Sequence, residues 1–186
     1  MLNYIDIQTP PDVWSKILEL NPIDVDDAFY EPFAGMNSLY DQITNKKYRT
    51  EITDGLDVFD FDFDNHQDVS VIYTNPPYFS SIPDKKGNFK ERNAVYFFLE
   101  FFMIKFKNLK KIGFIMNMKC FNSLTPKRLK KLNDLGFTIS SMTMFNCNYW
   151  YGIQIFIVFE KNNTGNCFKY IEKTFTQKIT CPLKLA

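Results

Sequence analysis

The sequence predicts an α/β fold, with a mostly parallel sheet, helices on both faces and a C-terminal antiparallel hairpin. Strand-like segments alternate with helical ones along the chain. Residues 69–74 carry the β-branched side chains that are typical of a buried parallel strand. Near the C-terminus, a polar aromatic turn separates two apolar segments, 137–145 and 152–160, which predicts that they pair as a hairpin.

The first elements follow from helical spacing and turn signals. Pro10-Pro11-Asp12 opens a helix that runs through Leu20, and its apolar face consists of Val13, Trp14, Ile17 and Leu18. We expect a strand over 28–31, a short helix over 38–43 and a strand over 47–52.

In the second half of the chain, prolines and helix-capping residues mark where the predicted strands and helices begin and end. Two prolines after Thr74 must end the strand, because proline donates no hydrogen bond to a sheet. We expect Asn93 to cap a phenylalanine-rich helix, followed by a strand over 112–118. A helix over 127–135 is predicted by Thr125-Pro126 at its start and by a glycine at its end.

The length of 186 residues fits one domain, residues 1–186, without room for a second folded module. The longest apolar run, 94–106, is shorter than the ~20 residues of a bilayer span, so we expect no membrane segment. The first residues lack the features of a secretory signal, which favours an intracellular location. Scarce alanine beside abundant Lys, Asn, Ile and Phe indicates an AT-rich genome, such as that of a virus or phage.

Two further features of the composition concern metals and charge. The four cysteines are widely spaced and there is one histidine, so we expect no metal site. Residues 1–68 hold fifteen acidic and four basic side chains, a charge of −11, whereas residues 69–186 hold six and eighteen, a charge of +12. Either the two halves attract each other in the folded domain, or the second half binds a polyanion.

The most specific motif is Asn75-Pro76-Pro77-Tyr78, directly after a hydrophobic strand. An exocyclic amine on an aromatic ring is a poor nucleophile, because its lone pair is delocalised into the ring. The side-chain carbonyl of Asn75 and the backbone carbonyl of Pro76 could accept its two hydrogens and turn the lone pair towards a methyl donor. The prolines fix these acceptors, and Tyr78 offers a flat face on which a base can stack.

This tetrad resembles the motif of the S-adenosylmethionine-dependent N6-adenine methyltransferases, the NPPY amino-methyltransferases. The resemblance implies a Rossmann-like class I methyltransferase fold, S-adenosylmethionine as the methyl donor, and a catalytic role for Asn75, Pro76, Pro77 and Tyr78. It covers roughly residues 9–160. Since only 44 positions separate Glu31 from Asn75, we expect one or two of the usual crossover helices to be shortened or absent.

The same resemblance assigns donor-binding residues. The segment from Glu31 to Ser38 looks like the family's cofactor loop, in which the carboxylate binds the donor's ammonium group and Gly35 lets the backbone approach the donor. The N-terminus of the following helix then favours the donor's carboxylate. Asn37 replaces the usual second glycine, and asparagine is the residue that best tolerates a left-handed conformation after glycine. The residues of this loop that we predict to bind the donor are Glu31, Pro32, Phe33, Ala34, Gly35 and Asn37.

Other parts of the donor are assigned in chain order. Glu51-Ile52 resembles the position whose carboxylate accepts hydrogen bonds from both ribose hydroxyls of the donor. Asp57-Val58 resembles the position that binds the donor's adenine amine. Thr9-Pro10 resembles the element that touches the donor's methionyl carboxylate, although a simple helix start explains these two residues nearly as well. Asn75 borders the same predicted site.

The predicted substrate is nucleic acid, with DNA favoured over RNA. We expect Tyr78 and Phe79 to contact the base and Lys85 and Lys86, in the basic loop after the tetrad, to contact phosphates. The lysines of 127–131 fit the solvated face of a helix equally well. Because no separate target-recognition domain fits, sequence preference should be weak or come from a partner subunit.

Three alternatives remain open from the sequence. An RNA adenine or a protein glutamine amide could be the acceptor, since an amide nitrogen has the same delocalised lone pair. Alternatively, Asn37 could mark a decayed cofactor loop in a catalytically silent nucleic-acid-binding subunit.

Overall fold

The computed structural model of the chain describes residues 8–78, 93–146, 152–162 and 169–174. Its helices are α1 (Pro11–Leu20), α2 (Ala94–Lys105), α3 (Met118–Asn122) and α4 (Pro126–Asp134). Its strands are β1 (Ala28–Glu31), β2 (Lys47–Arg49), β3 (Val69–Thr74), β4 (Lys111–Asn117), β5 (Phe137–Asn146), β6 (Gln154–Lys161) and β7 (Lys169–Thr174).

The seven strands form one sheet in the order β2-β1-β3-β4-β6-β5-β7. β1 pairs in parallel with β2 and β3, β3 with β4, and β5 with β7. β6 is antiparallel to both β4 and β5. The predicted mostly parallel sheet and the antiparallel hairpin are therefore confirmed, and β7 is an additional strand that we did not predict.

The sheet is packed on both faces, because successive side chains of a strand point to opposite sides. Phe29 and Val71 belong to one apolar cluster, together with the buried face of α1. Tyr30 and Ile72, their chain neighbours, belong to a larger cluster on the other face, which includes most of α2. Each buried phenylalanine of that helix contributes about 1.5–3 kcal/mol. Helices thus cover both faces, as predicted.

The predicted caps and stops are present. The Asn93 side chain accepts a hydrogen bond from the backbone N–H of Tyr96, 2.9 Å away, at the start of α2. Thr125 caps α4, with Pro126 as its first residue. Gly136 then takes a φ of +88°, a left-handed conformation that stops the helix.

Three element boundaries differ from the prediction. The helix expected over 38–43 is wrong, because only one turn of 3₁₀ helix, Tyr40–Gln42, forms there. The strand expected over 47–52 ends at Arg49. The strand expected to reach residue 118 ends at Asn117, whose side chain caps α3 by accepting from the Cys120 backbone N–H.

The connection between Glu31 and Asn75, which is described throughout, contains four short 3₁₀ turns and no α-helix. The expected shortening of the crossover helices is confirmed and goes further than predicted, since 44 positions leave room for little beyond two strands and their turns. None of the helices within the described ranges is long and apolar enough to cross a membrane.

Candidate active site

A cavity of about 170 Å³ lies at the carboxyl ends of β1 and β3. The chain leaves β1 towards β2 on one side and returns to β3 on the other, so the cavity occupies the point where the strand order reverses. This is where parallel α/β sheets bind their ligands. The described residues that line it are Gln8, Thr9, Trp14, Glu31, Phe33, Ala34, Gly35, Ser38, Glu51, Asn75, Pro76, Pro77 and Tyr78.

The loop after β1 forms one wall of the cavity. Gly35 and Asn37 have φ values of +53° and +64°, so asparagine adopts here the left-handed conformation that we expected it to tolerate. The Gly35 backbone N–H donates to Glu51 Oε2 at 2.6 Å, and the Met36 N–H donates to Gln8 Oε1 at 3.2 Å. The helix N-terminus predicted after this loop is absent, so no helix dipole acts on the cavity there.

Glu31 is the carboxyl at the cavity whose hydrogen-bonding oxygens are least satisfied. Its side chain is 2% exposed, and its Oε2 has no hydrogen-bond partner. Burial raises the pKa of this carboxyl well above its usual value, against the lowering effect of a hydrogen bond from the Tyr40 backbone. A buried carboxyl with a vacant acceptor is a receptor for a cation.

Glu51 supplies a second buried carboxylate to the same cavity. Besides the bond from Gly35, its Oε1 accepts from the backbone N–H and the hydroxyl of Thr53, at 3.2 and 3.1 Å. Oε2 accepts only the bond from Gly35 and so has one acceptor site left for a ligand. The predicted contact with both ribose hydroxyls stays a prediction. No basic side chain lies among the described residues that line the cavity, and its electrostatics therefore favour a cationic ligand.

The tetrad after β3 forms the opposite wall. The Asn75 side chain is partly buried and borders the cavity, so the core does not enclose it. Its Nδ2 donates to Thr9 Oγ1 at 3.0 Å, and its Oδ1 accepts from the Tyr78 hydroxyl at 2.7 Å. The same hydroxyl lies 3.0 Å from the carbonyl oxygen of Ile115. Burial raises the pKa of Tyr78 far above its usual value, so the phenol remains a donor.

The structure brings ten of the predicted site residues together around the cavity. They are Thr9, Glu31, Phe33, Ala34, Gly35, Glu51, Asn75, Pro76, Pro77 and Tyr78. The other predicted donor-binding residues do not line it. They are Pro10, Pro32, Asn37, Ile52, Asp57 and Val58. Their roles stay predictions.

Four of the six residues outside the cavity wall have identifiable structural roles. Pro10 precedes α1. The carbonyl of Pro32 accepts from the Thr50 hydroxyl at 2.8 Å. Ile52 is 63% exposed, whereas Val58 is buried in the larger apolar cluster. Asp57 Oδ1 accepts from the Phe59 backbone N–H at 2.9 Å and so caps a 3₁₀ turn.

Three lining residues were missed from the sequence. Trp14 was assigned to the apolar face of α1, and it does lie there, 2% exposed, while also reaching the cavity. Ser38 was placed in a helix that does not form. Gln8 directly precedes the Thr9-Pro10 element, and this position in the sequence is the only feature that could have indicated that Gln8 lines the cavity.

The predicted substrate contacts are only partly described. Phe79, Lys85 and Lys86 lie outside the described residues. In the helix α4, Lys130 pairs with Asp134 at 2.8 Å and Lys131 with Glu100 at 3.9 Å, which is typical of a solvated helix face.

Lys110 pairs with Asp27 at 2.7 Å, an attraction between the basic and the acidic half of the chain. Within the part of the chain that the structure describes, no cluster of three or more His, Cys, Asp or Glu residues is arranged to hold a metal ion.

No family model matches the sequence, and no curated protein matches it either. The structure is similar to a protein of Listeria monocytogenes that is provisionally described as a class I S-adenosylmethionine-dependent methyltransferase, with a TM-score of 0.64 and 12% identity over 92% of this chain and 67% of that one. It is also similar to the type IIG restriction endonuclease BpuSI, with a TM-score of 0.70 and 14% identity over 90% of this chain and 27% of that one.

A third similar structure is the methyltransferase subunit of a type I restriction-modification system from Streptococcus thermophilus. The TM-score is 0.60, with 14% identity over 89% of this chain and 46% of that one. The chain thus spans two thirds of the Listeria protein and less than half of the other two. At these identities the similarity concerns the fold, and the chain has the Rossmann-like fold of class I methyltransferases.

Proposed function

We propose that this protein transfers the methyl group of S-adenosylmethionine to an exocyclic amine, adenine N6 in nucleic acid, with DNA favoured. The observation that carries the proposal is that the two walls of one cavity have complementary chemistry. The wall after β1 holds the buried, partnerless oxygen of Glu31, and the wall after β3 holds the Asn75 carbonyl.

The donor side is supported by charge and by aromatic side chains. S-adenosylmethionine carries an ammonium group and a sulfonium group, both cationic, and the cavity offers Glu31 and Glu51 without a basic side chain among its described lining residues. Trp14, Phe33 and Tyr78 line the same space, and aromatic faces attract cations such as a sulfonium. In this proposal Glu31 binds the ammonium group.

The acceptor side is supported by the geometry of the tetrad. The Asn75 carbonyl oxygen has two lone pairs, and the Tyr78 hydroxyl uses one of them, so the other can accept a hydrogen from a target amine. Accepting that hydrogen favours a pyramidal nitrogen whose lone pair can attack the sulfonium methyl. In the proposed transfer the nitrogen–carbon bond would form as the methyl carbon–sulfur bond of the donor breaks, with S-adenosylhomocysteine as the leaving group and the amine proton released to water. Positioning would supply much of the rate.

Nucleic acid as the substrate is supported by charge in the second half of the chain. The helix α3 follows β4 directly, and Cys120 on it packs against the same apolar cluster as Tyr78. Lys119 on this helix and Lys127 on α4 are exposed. Two of the similar structures are described as a restriction endonuclease and as a subunit of a restriction-modification system, which favours DNA over RNA for this chain. Tight recognition of a sequence would then need a partner subunit.

The proposal is tested by donor binding in a calorimeter, followed by a methyl-transfer assay on single-stranded DNA, RNA and a glutamine-containing peptide. We expect donor binding and transfer to adenine in DNA. The logarithm of the DNA affinity should fall linearly with the logarithm of salt concentration, because phosphate contacts release counterions. Transfer to the peptide alone would overturn the choice of substrate.

A catalytically silent nucleic-acid-binding subunit is the second candidate, and the size of the cavity favours it. The described residues leave about 170 Å³, less than the roughly 300 Å³ at the lower end of ligand pockets. The Gln8 carboxamide also packs directly against Gly35, so closely that a Cβ on residue 35 would clash with it. The carboxamide therefore occupies space beside the loop that a donor would need. DNA binding without measurable donor binding would favour this candidate and contradict the methyltransferase.

A further inference from the structure

Two hydroxyl groups hold the side-chain amide of Asn75 at its two ends. Thr9 Oγ1 accepts from Nδ2 at 3.0 Å, and the Tyr78 hydroxyl donates to Oδ1 at 2.7 Å. Thr9 lies 66 positions before Asn75 and is 4% exposed, in the segment that leads into α1. The segment before α1 therefore reaches across the sheet edge to the reactive amide of the proposed site.

The orientation of this amide decides what it can do. A half-turn of the amide exchanges the carbonyl oxygen, an acceptor, with the NH₂ group, a donor. Only a carbonyl that faces the cavity can accept a hydrogen from a target amine. An NH₂ group in its place would present hydrogens to hydrogens and would leave the amine without an acceptor.

Tyr78 alone does not fix this orientation. Its hydroxyl has one proton and lies near two acceptors, Asn75 Oδ1 at 2.7 Å and the Ile115 carbonyl at 3.0 Å. When the proton turns to Ile115, the tyrosine oxygen could instead accept from a reversed Asn75 amide. Reversal would also require Thr9 to stop accepting from Nδ2 and to turn its own proton onto the amide oxygen, so the two hydroxyls would have to rearrange together.

We propose that Thr9 is a positioning residue whose hydroxyl holds the Asn75 amide with its carbonyl towards the cavity. This inference rests on the proposed function, since it assigns the orienting group for the amine acceptor. It differs from the contact with the donor carboxylate that the sequence predicted for Thr9. The two roles affect different steps, because an orienting hydroxyl acts on the rate of transfer and a donor contact acts on donor affinity.

The kinetic test compares Thr9→Val, which keeps the shape and removes the hydroxyl, with Thr9→Ser, which keeps the hydroxyl. In Thr9→Val we expect the single-turnover rate at saturating donor to fall about 5-fold, the rate equivalent of one neutral hydrogen bond. The donor Kd should stay within about 2-fold, and Thr9→Ser should restore the rate. Thr44→Val, at an exposed threonine, is the matched control.

A second readout needs neither donor nor substrate. In a nitrogen-15 NMR spectrum, the side-chain NH₂ signals of Asn75 are identified by their loss in Asn75→Ala. We expect their exchange with water to be slow in the wild type and in Thr9→Ser, and fast in Thr9→Val. Unchanged exchange in Thr9→Val, or a raised donor Kd with an unchanged rate, would overturn the positioning role.

The two tests also separate this inference from the proposed function. If Asn75→Ala abolishes transfer while Thr9→Val matches the wild type in rate and exchange, the function stands and the positioning role fails. If the wild type transfers no methyl group but Thr9→Val accelerates NH₂ exchange, the hydroxyl orients the amide and the methyltransferase proposal fails.

Discussion

The two loops that border the cavity differ in how their polar groups are paired. At the end of β1, Glu31 is buried with one oxygen that has no partner. After β3, both ends of the Asn75 amide are hydrogen-bonded to hydroxyls of the protein. The first wall therefore keeps a buried acceptor without a partner in the protein, whereas the amide of the second wall is already held by protein hydroxyls.

This difference indicates a division of labour between binding and chemistry. An unsatisfied buried carboxyl costs stability and makes a cationic ligand bind more tightly. A preorganised amide contributes little to binding, and it lowers the barrier because it needs no rearrangement when the amine arrives. Variants of the first loop should therefore change affinity, and variants of the second should change rate.

The largest effect is expected from Asn75→Ala. Removing the side-chain acceptor should lower the rate of methyl transfer by on the order of 10²–10³, as does the loss of one oxyanion-hole donor. Donor Kd and melting temperature should change little, because the side chain is only partly buried. Single-turnover assays and calorimetry measure both quantities, and Asn133→Ala, at an exposed position of α4, is the control. Near-normal transfer by Asn75→Ala would contradict the mechanism.

Glu31→Gln should act on affinity instead. The substitution keeps the shape of the side chain and removes the charge that is proposed to bind the donor's ammonium group. We expect the donor Kd to rise by about 10- to 100-fold, the range for a hydrogen bond to a charged group. The rate at saturating donor should change by less. A lowered rate with an unchanged Kd would reverse the roles of the two loops.

The same carboxyl predicts a pH dependence of stability without donor. Burial raises the pKa of Glu31 in the folded chain, so the folded state holds this proton at a pH where the unfolded state has lost it. The free energy of unfolding should therefore fall as the pH rises from the usual glutamic acid range through the raised pKa. Urea unfolding at several pH values should show this loss in the wild type and in Glu19→Gln, an exposed control, but not in Glu31→Gln. If the free energy of unfolding fell equally with pH in all three proteins, Glu31 would not be the cause of the pH dependence.

The smallest effect is expected from Asn37→Gly. Asn37 has a left-handed backbone, and its Oδ1 is buried without a partner, so glycine should raise the free energy of unfolding by up to about 1 kcal/mol. Asn37→Ala should lower it, because alanine tolerates a positive φ less well than asparagine. Chemical denaturation measures both changes, and the donor Kd of Asn37→Gly should stay within about 3-fold of the wild type. A much lower Kd would show that asparagine had weakened the cofactor loop.

Much of the fold could be predicted because its signals are local. The apolar strand β3, the Asn93 and Thr125 caps and the hairpin strands depend on short patterns that tertiary contacts reinforce. The helix expected over 38–43 failed because its few residues had to connect β1 to β2, and a single 3₁₀ turn closes that distance. β7 was missed because it pairs with β5 at the edge of the sheet, a partnership that no local pattern specifies.

The site was predictable where motifs border strand ends. Glu31 ends β1, Gly35 lies in the loop after it and Asn75 directly follows β3, so the pairing of two adjacent strands brings them to one cavity. Gln8 and the partnership of Thr9 with Asn75 could not be predicted, because they depend on where the segment before α1 crosses the sheet.

The central claim is that the space between Gly35 and Asn75 binds the methyl donor. A crystal structure of the chain with S-adenosylmethionine tests it most directly. The account predicts donor density in this cavity, with the ammonium group on Glu31, the sulfonium methyl directed towards Asn75 and the Gln8 carboxamide displaced from Met36. An empty cavity at a donor concentration that saturates binding in solution, or donor density at another place on the sheet, would contradict it.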